Sequence, residues 1–290
     1  MPLLELATVE ATLAAQEALV PHLRKGCEKR IIWADAPAVQ TAVCVLYIHG
    51  FSATGEELRP LPDLVAQGLG ANIFFTRLTG HGQDSAAMGR AGLEAWQKDV
   101  TEALEVAQTI GQEVVVIGCS TGCTLATLAL AQGAVAKAMI HISPNFGLRH
   151  RAVQGLLDLP HSRRWAKYVA GDKRSFPSKN DAHAAFWTLE YPTEAVHVMA
   201  DAVRAARSAD LSKITVPALF CFNPDDQVVH PDDTRRVIGR WGAPADIVVL
   251  EQTTADDEMG HIMAGDIFSP NQTEPLAKRI LAWCQALPPR

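Results

Sequence analysis

Three residue types that together can break an acyl bond follow one another along this 290-residue chain. They are a serine in Gly118-Cys119-Ser120-Thr121-Gly122, an aspartate in Asn223-Pro224-Asp225-Asp226, and a histidine in Met259-Gly260-His261. A serine hydroxyl is a poor nucleophile at neutral pH. It needs a base to take its proton and donors to hold the oxyanion that forms. An imidazole can be that base, and a carboxylate behind it can hold the ring in the working tautomer. By residue type alone, Asp225 and Asp226 serve equally well as the carboxylate. His261 is the only histidine after the last strand-like run, which makes it the candidate base.

The elements that must position these groups are legible around each. Residues 114–117 (VVVI) form a β-branched run that reads as a buried strand. From Thr121 onward, alanine and leucine recur at helical spacing with no proline. A strand-to-helix join this short needs positions without a Cβ, for positive φ angles and for close strand–helix contact. Gly118 and Gly122 are expected to supply them, leaving Ser120 strained and exposed at the corner, beside the helix N-terminus. This is the G-x-S-x-G nucleophile elbow. Neither G-x-G-x-x-G nor G-x-x-x-x-G-K-[ST] occurs there, so a dinucleotide or nucleotide phosphate loop is a poor fit.

Further strand-like runs cover residues 43–48, 72–76, 137–142, 216–222 and 246–250. Helical patterns cover 56–67, 93–110, 121–130, 232–240 and 274–285. Continuous apolar strands separated by helices predict an α/β fold with a mostly parallel sheet covered on both faces. In such a sheet, chemistry gathers at the carboxyl ends of the strands. After 43–48 comes His49-Gly50-Phe51, where a glycine lets the backbone turn inward. The N–H groups of Phe51 and Thr121 are the expected oxyanion donors. His49 and His81, each beside a glycine, read as loop-orienting residues.

One region breaks the alternation. Residues 146–210 show no clear strand, are rich in aromatics and end in a helical pattern over 194–208. So long an interruption inside a compact fold predicts a cap, splitting the core into 1–145 and 211–290. Phe146 and Trp187 are its expected substrate-contacting residues. Between Gly147 and Ser175, seven Lys/Arg face two acids, a net +5 in a chain of net charge −6. The cations are interleaved with Trp165 and Tyr168; a solvated basic face on a cap helix is the simpler reading, and attraction of an anionic substrate or surface the alternative.

Composition narrows the class. The chain is 48% hydrophobic and 20% charged, an ordinary globular balance, and its acidity argues against nucleic-acid binding. No apolar run approaches the roughly 20 residues of a membrane helix, so stable membrane insertion is not expected. The N-terminal stretch carries Glu5 and Glu10 without a basic leader and reads as an amphipathic surface helix, not a signal peptide. Six cysteines without C-x-x-C spacing suggest reduced thiols in a cytoplasmic protein. Cys119 and Cys123, with three residues including Ser120 between them, read as packed small residues. Nothing in the sequence sets an oligomeric state.

The segments YIHGFSATGEE, LTGHGQD, Trp96-x-x-Asp99-Val100, VIGCSTG, VPALFCFNPDDQVVHP and MGHIMAGD span about residues 43–266. With them the sequence resembles the α/β-hydrolase superfamily, in its carboxylesterase and monoacylglycerol-lipase-like branch. The order Ser, Asp, His matches that superfamily. The resemblance favours Asp226 over Asp225, because the branch places its acid two residues before a Val-Val-like pair and four or five before a proline. It implies a cap in the position found here, no metal or organic cofactor, and cleavage of a small-molecule carboxylic ester by Ser120, Asp226 and His261. Thioester or amide hydrolysis, or acyl transfer, would use the same groups, and a non-catalytic ligand-binding protein could keep the fold. A dehalogenase would want an aspartate at the elbow. The branch usually carries Met-Gly-Gly or Leu-Gly-Gly after the nucleophile. Thr121-Gly122-Cys123 departs from it, slightly enlarging the side chain where helix and strand pack.

Overall fold

The computed structural model describes residues 5–159 and 171–288. Its centre is a seven-stranded sheet in the order β1-β3-β2-β4-β5-β8-β9. The strands are β1 (Arg30–Ile32), β2 (Thr41–Ile48), β3 (Asn72–Phe75), β4 (Gly111–Cys119), β5 (Ala138–Ile142), β8 (Ala218–Phe222) and β9 (Ala245–Val249). All neighbouring pairs run parallel except β1 with β3, at one edge.

Side-chain alternation sends each strand into two cores. Cys44, Leu46, Ile48, Val114, Val116, Met139 and Phe220 pack on one face. Val45, Tyr47, Val115, Ile117, Ile140, Ile142 and Cys221 pack on the other. Helices cover both faces, as the apolar runs predicted. The helix Leu93–Ile110 has the expected bounds. The helix expected over 56–67 instead spans Leu61–Leu69, because Glu56 to Pro60 turn so that Glu57 bonds back to β2. The N-terminal helix Val9–Ala18 buries Val9, Leu13 and Glu17, and Glu17 pairs with the buried Arg77.

Between β5 and β8 the chain carries a helix, Arg151–Asp158, a two-stranded antiparallel ribbon of β6 (Lys173–Ser175) and β7 (Glu190–Pro192), and helices Asp181–Phe186 and Thr193–Ser208. The ribbon corrects the expectation of a strand-free segment; at three residues each, its strands are too short to show a period in sequence. The last of these helices packs on the helix after Ser120, and its Val198, Met199, Ala202 and Ala206 join the main core. Of the basic stretch, Arg163, Arg164, Lys167, Trp165 and Tyr168 lie outside the described residues. No helix among the described residues is long and apolar enough to cross a membrane.

Candidate active site

The candidate groups converge at the carboxyl ends of β2, β4, β8 and β9. Ser120 directly follows β4 and has φ +48° and ψ −113°. The strain is therefore on the serine itself. Gly118 and Gly122 are needed for space, not for positive φ. A Cβ on Gly122 would lie 2.1 Å from the Ile48 carbonyl oxygen and 2.7 Å from that of His49, and one on Gly118 would lie 2.9 Å from the Cys123 nitrogen. Backbone from β2 and from the elbow helix fills both places. Cys123, the departure from the branch pattern, fits without exposure, its thiol 3.0 Å from the Gly118 carbonyl oxygen. All six cysteines are free and buried.

Ser120 is also less accessible than expected, with only 7% of its surface exposed. Its Oγ lies 3.0 Å from His261 Nε2, and His261 Nδ1 lies 2.7 Å from Asp226 Oδ2. The second carboxylate oxygen, Oδ1, accepts the N–H groups of Val228 (2.7 Å) and Val229 (2.9 Å). This is the physical content of the Asp-x-Val-Val spacing: the loop after β8 folds back to hold the acid it carries. Asp225 is exposed, and its N–H donates to the Asn223 side chain. The Asn223 amide in turn donates to the Gly260 carbonyl (3.1 Å), joining the acid loop to the histidine loop.

Burial disfavours charge on His261, but the carboxylates of Asp226, Asp257 and Glu57 outweigh it and hold the imidazolium above its ordinary range. A proton taken from Ser120 would thus be stabilised on the ring.

The turn after β2 presents Phe51, whose N–H makes no hydrogen bond to another described residue. Thr121 begins its helix, where an N–H has no intrahelical acceptor. His49 accepts the Leu78 N–H at Nε2 and lies 2.9 Å from the Gly50 carbonyl at Nδ1, which places its proton on Nδ1. Burial lowers the His49 pKa to about 4, and burial, with His49 beside it, holds that of His81 well below the ordinary histidine range. Both are neutral, loop-bracing rings.

Glu57 was missed in the sequence. It is fully buried under Gly50, and its Oε2 accepts the Gly50 N–H (2.7 Å) and the Tyr47 hydroxyl (2.9 Å). One of two adjacent glutamates in a predicted helix start carries no signal of that contact. Asp257, four residues before His261, was missed as well: its Oδ2 accepts the N–H groups of His261 (3.1 Å) and Ile262 (3.0 Å).

Phe146 is fully buried against His141, one residue beyond Asn145, whose N–H donates to the Ser120 carbonyl. Trp187 is buried against His183 and Phe268, and the next residue, Thr188, donates its N–H to the Ser52 carbonyl in the turn after β2.

Residues 45–269 match the family model described as alpha/beta hydrolase family. The chain belongs to that family. The thermostable monoacylglycerol lipase of Bacillus sp. (strain H-257) is 29% identical over 195 residues, 65% of this chain and 72% of that protein. Among solved structures, one from work on LipS and LipT, two metagenome-derived lipolytic enzymes, superposes with a TM-score of 0.71 at 19% identity, over 91% of this chain and 99% of the other. The monoacylglycerol lipase of Paleococcus ferrophilus superposes at 0.63 and 14% identity, over 90% and 98%. These structures share the fold of this α/β-hydrolase. Within the family, its resemblance is to lipases and esterases.

Proposed function

We propose that this α/β-hydrolase is a serine hydrolase that cleaves carboxylic esters through an acyl-enzyme. The observation that carries the reading is the continuous chain Asp226–His261–Ser120, with separations of 2.7 and 3.0 Å. His261 Nε2 takes the Ser120 proton as Oγ attacks the ester carbonyl. The N–H groups of Phe51 and Thr121 receive the oxyanion. Collapse of the tetrahedral intermediate expels the alcohol, which takes the proton from His261. Water, deprotonated by the same ring, then attacks the acyl-enzyme and releases the acid. Asp226 keeps the ring's Nδ1 protonated and offsets its positive charge.

The segment 146–210 is the proposed cap over this site, and Phe146 and Trp187 are its proposed pocket-lining residues. The name of the Bacillus relative makes monoacylglycerols the first natural esters to assay. The test is an acyl series of chromogenic esters from acetyl to palmitoyl, run on the protein and on Ser120→Ala. Hydrolysis that vanishes in the folded variant is the expected result. Near-normal turnover by Ser120→Ala would overturn the proposal.

A further inference from the structure

The loop carrying His261 is tied to the segment between β5 and β8 through one buried carboxylate. Asp257 is a hub. Besides the two backbone N–H groups it accepts at Oδ2, its own N–H donates to Ser269 Oγ (3.0 Å), and its carbonyl accepts from Gln252 Nε2 (2.6 Å). Its other carboxylate oxygen, Oδ1, lies 3.1 Å from Lys179 Nζ, on the segment that precedes the helix Asp181–Phe186.

Lys179 does not reach in alone. Its ammonium lies 5.2 Å from the centre of the Phe268 ring. The neighbouring Asn180 donates to the Ile267 carbonyl (3.1 Å), and His183 and Trp187 set their rings edge-on to Phe268. The contact is a docked seam between the two segments. At its inner end sits the carboxylate that holds the backbone of the candidate base. The Asp257 side chain is 5% exposed and that of Lys179 33%, so the pair is far less screened than one on the open surface.

We propose that Asp257 is a positioning residue for His261, and that its ion pair with Lys179 couples docking of the segment 179–187 to the setting of the base. This deepens, and rests on, the reading of His261 as the base. If the segment lifts, Lys179 leaves, and Asp257 becomes an unpaired anion in the histidine loop. If it docks, the loop is held and the anion offset. The site would then be fully assembled only when its cover is in place.

The charged and titratable groups that face His261 are Asp226 from the loop after β8, Asp257 from its own loop, and Glu57 from the turn after β2. Those that face Asp257 are Lys179, His261 and His183. Burial first, and then Lys179, keep His183 below its ordinary range and therefore uncharged near neutrality.

The test follows the His261 ring by NMR titration of its nitrogens, a readout that works whether or not the protein is an esterase, in the unsubstituted protein, Lys179→Met, Lys179→Arg and Asp257→Asn. Lys179→Met should raise the His261 titration midpoint, because an unpaired Asp257 favours the imidazolium. Asp257→Asn should lower it while still offering an oxygen to both backbone N–H groups. Lys179→Arg should restore the parent value. In esterase assays, Lys179→Met should cost roughly tenfold in kcat with KM for a short neutral ester little changed, as expected of a misplaced base. Midpoints that do not move, or that move the same way in both variants, would make the pair an ordinary structural ion pair and overturn the proposal. A rise in KM alone would do the same. An unsubstituted protein that hydrolyses no ester yet shows the opposite shifts would sink the esterase reading and leave the coupling standing.

Discussion

Replacing Asp226 by asparagine is a one-atom change whose outcome the loop geometry dictates. Asp226 Oδ1 is committed to two donors, the Val228 and Val229 N–H groups at 2.7 and 2.9 Å. Asparagine has one acceptor oxygen, and those two donors hold it in the Oδ1 position. The amide NH2 must then occupy the Oδ2 position, 2.7 Å from His261 Nδ1. Two donors cannot face each other there, so the ring is driven to the tautomer with Nδ1 bare and its proton on Nε2. That proton points at Ser120 Oγ, and the base has nothing left with which to accept. The expected loss is on the order of 10³–10⁴-fold in kcat, or about 4–5.5 kcal/mol of transition-state stabilisation. The assay is kcat and kcat/KM on a chromogenic ester, beside a thermal melt to show that the fold survives. Asp225→Asn is the control: it changes an exposed side chain and should stay within a few-fold of the parent. Asp226→Asn activity within tenfold of the parent in a folded protein, or a larger loss for Asp225→Asn, would refute the reasoning.

Three further outcomes follow from the structure. The base must be neutral to act, so kcat/KM should rise with pH and level off. Because neighbouring carboxylates raise His261 despite its burial, the limb should lie above the ordinary histidine range, and a limb at or below about 6.5 would contradict that balance. Gly122→Ala places a methyl group 2.1 Å from a backbone carbonyl of β2 and should lower Tm by roughly 5–10 °C; an unchanged melt would show that the elbow can open. His141 is buried, neither of its nitrogens has a hydrogen-bond partner among the described residues, and its ring stacks 4.2 Å from that of Phe220. Burial pushes its pKa down to about 3, so the folded state refuses a proton that the unfolded chain takes below about 6.5. Stability should therefore fall as pH drops from about 6.5 toward 3, and chemical denaturation across that window should show a shallower fall in His141→Phe.

The sheet and two of the candidate residues could be read from the chain itself: β-branched runs mark the strands, two glycines bracket Ser120, and His261 is the only histidine after the last strand-like run. Only the family resemblance, through the spacing before Val228, Val229 and Pro231, favours Asp226 over Asp225. The supporting groups have no such signature. Glu57 looks like the acidic first turn of a helix, yet it is drawn inward by Gly50 and Tyr47, which no spacing announces. Asp257 and Lys179 are 78 residues apart, and only tertiary docking joins them. The serine was expected to be exposed, because an elbow at a strand end faces outward. In the folded chain the surrounding loops bury it, and the backbone strain falls on Ser120 while the flanking glycines make room.

The central claim is that Ser120 is a nucleophile made reactive by His261. A fluorophosphonate reacts with an activated serine and not with an ordinary hydroxyl, so intact-mass measurement after treatment, followed by peptide mapping, tests the claim without knowledge of the natural substrate. The account predicts a single adduct on Ser120, lost in Ser120→Ala and strongly slowed in folded His261→Ala. No adduct on Ser120, or labelling that proceeds equally fast without His261, would contradict it.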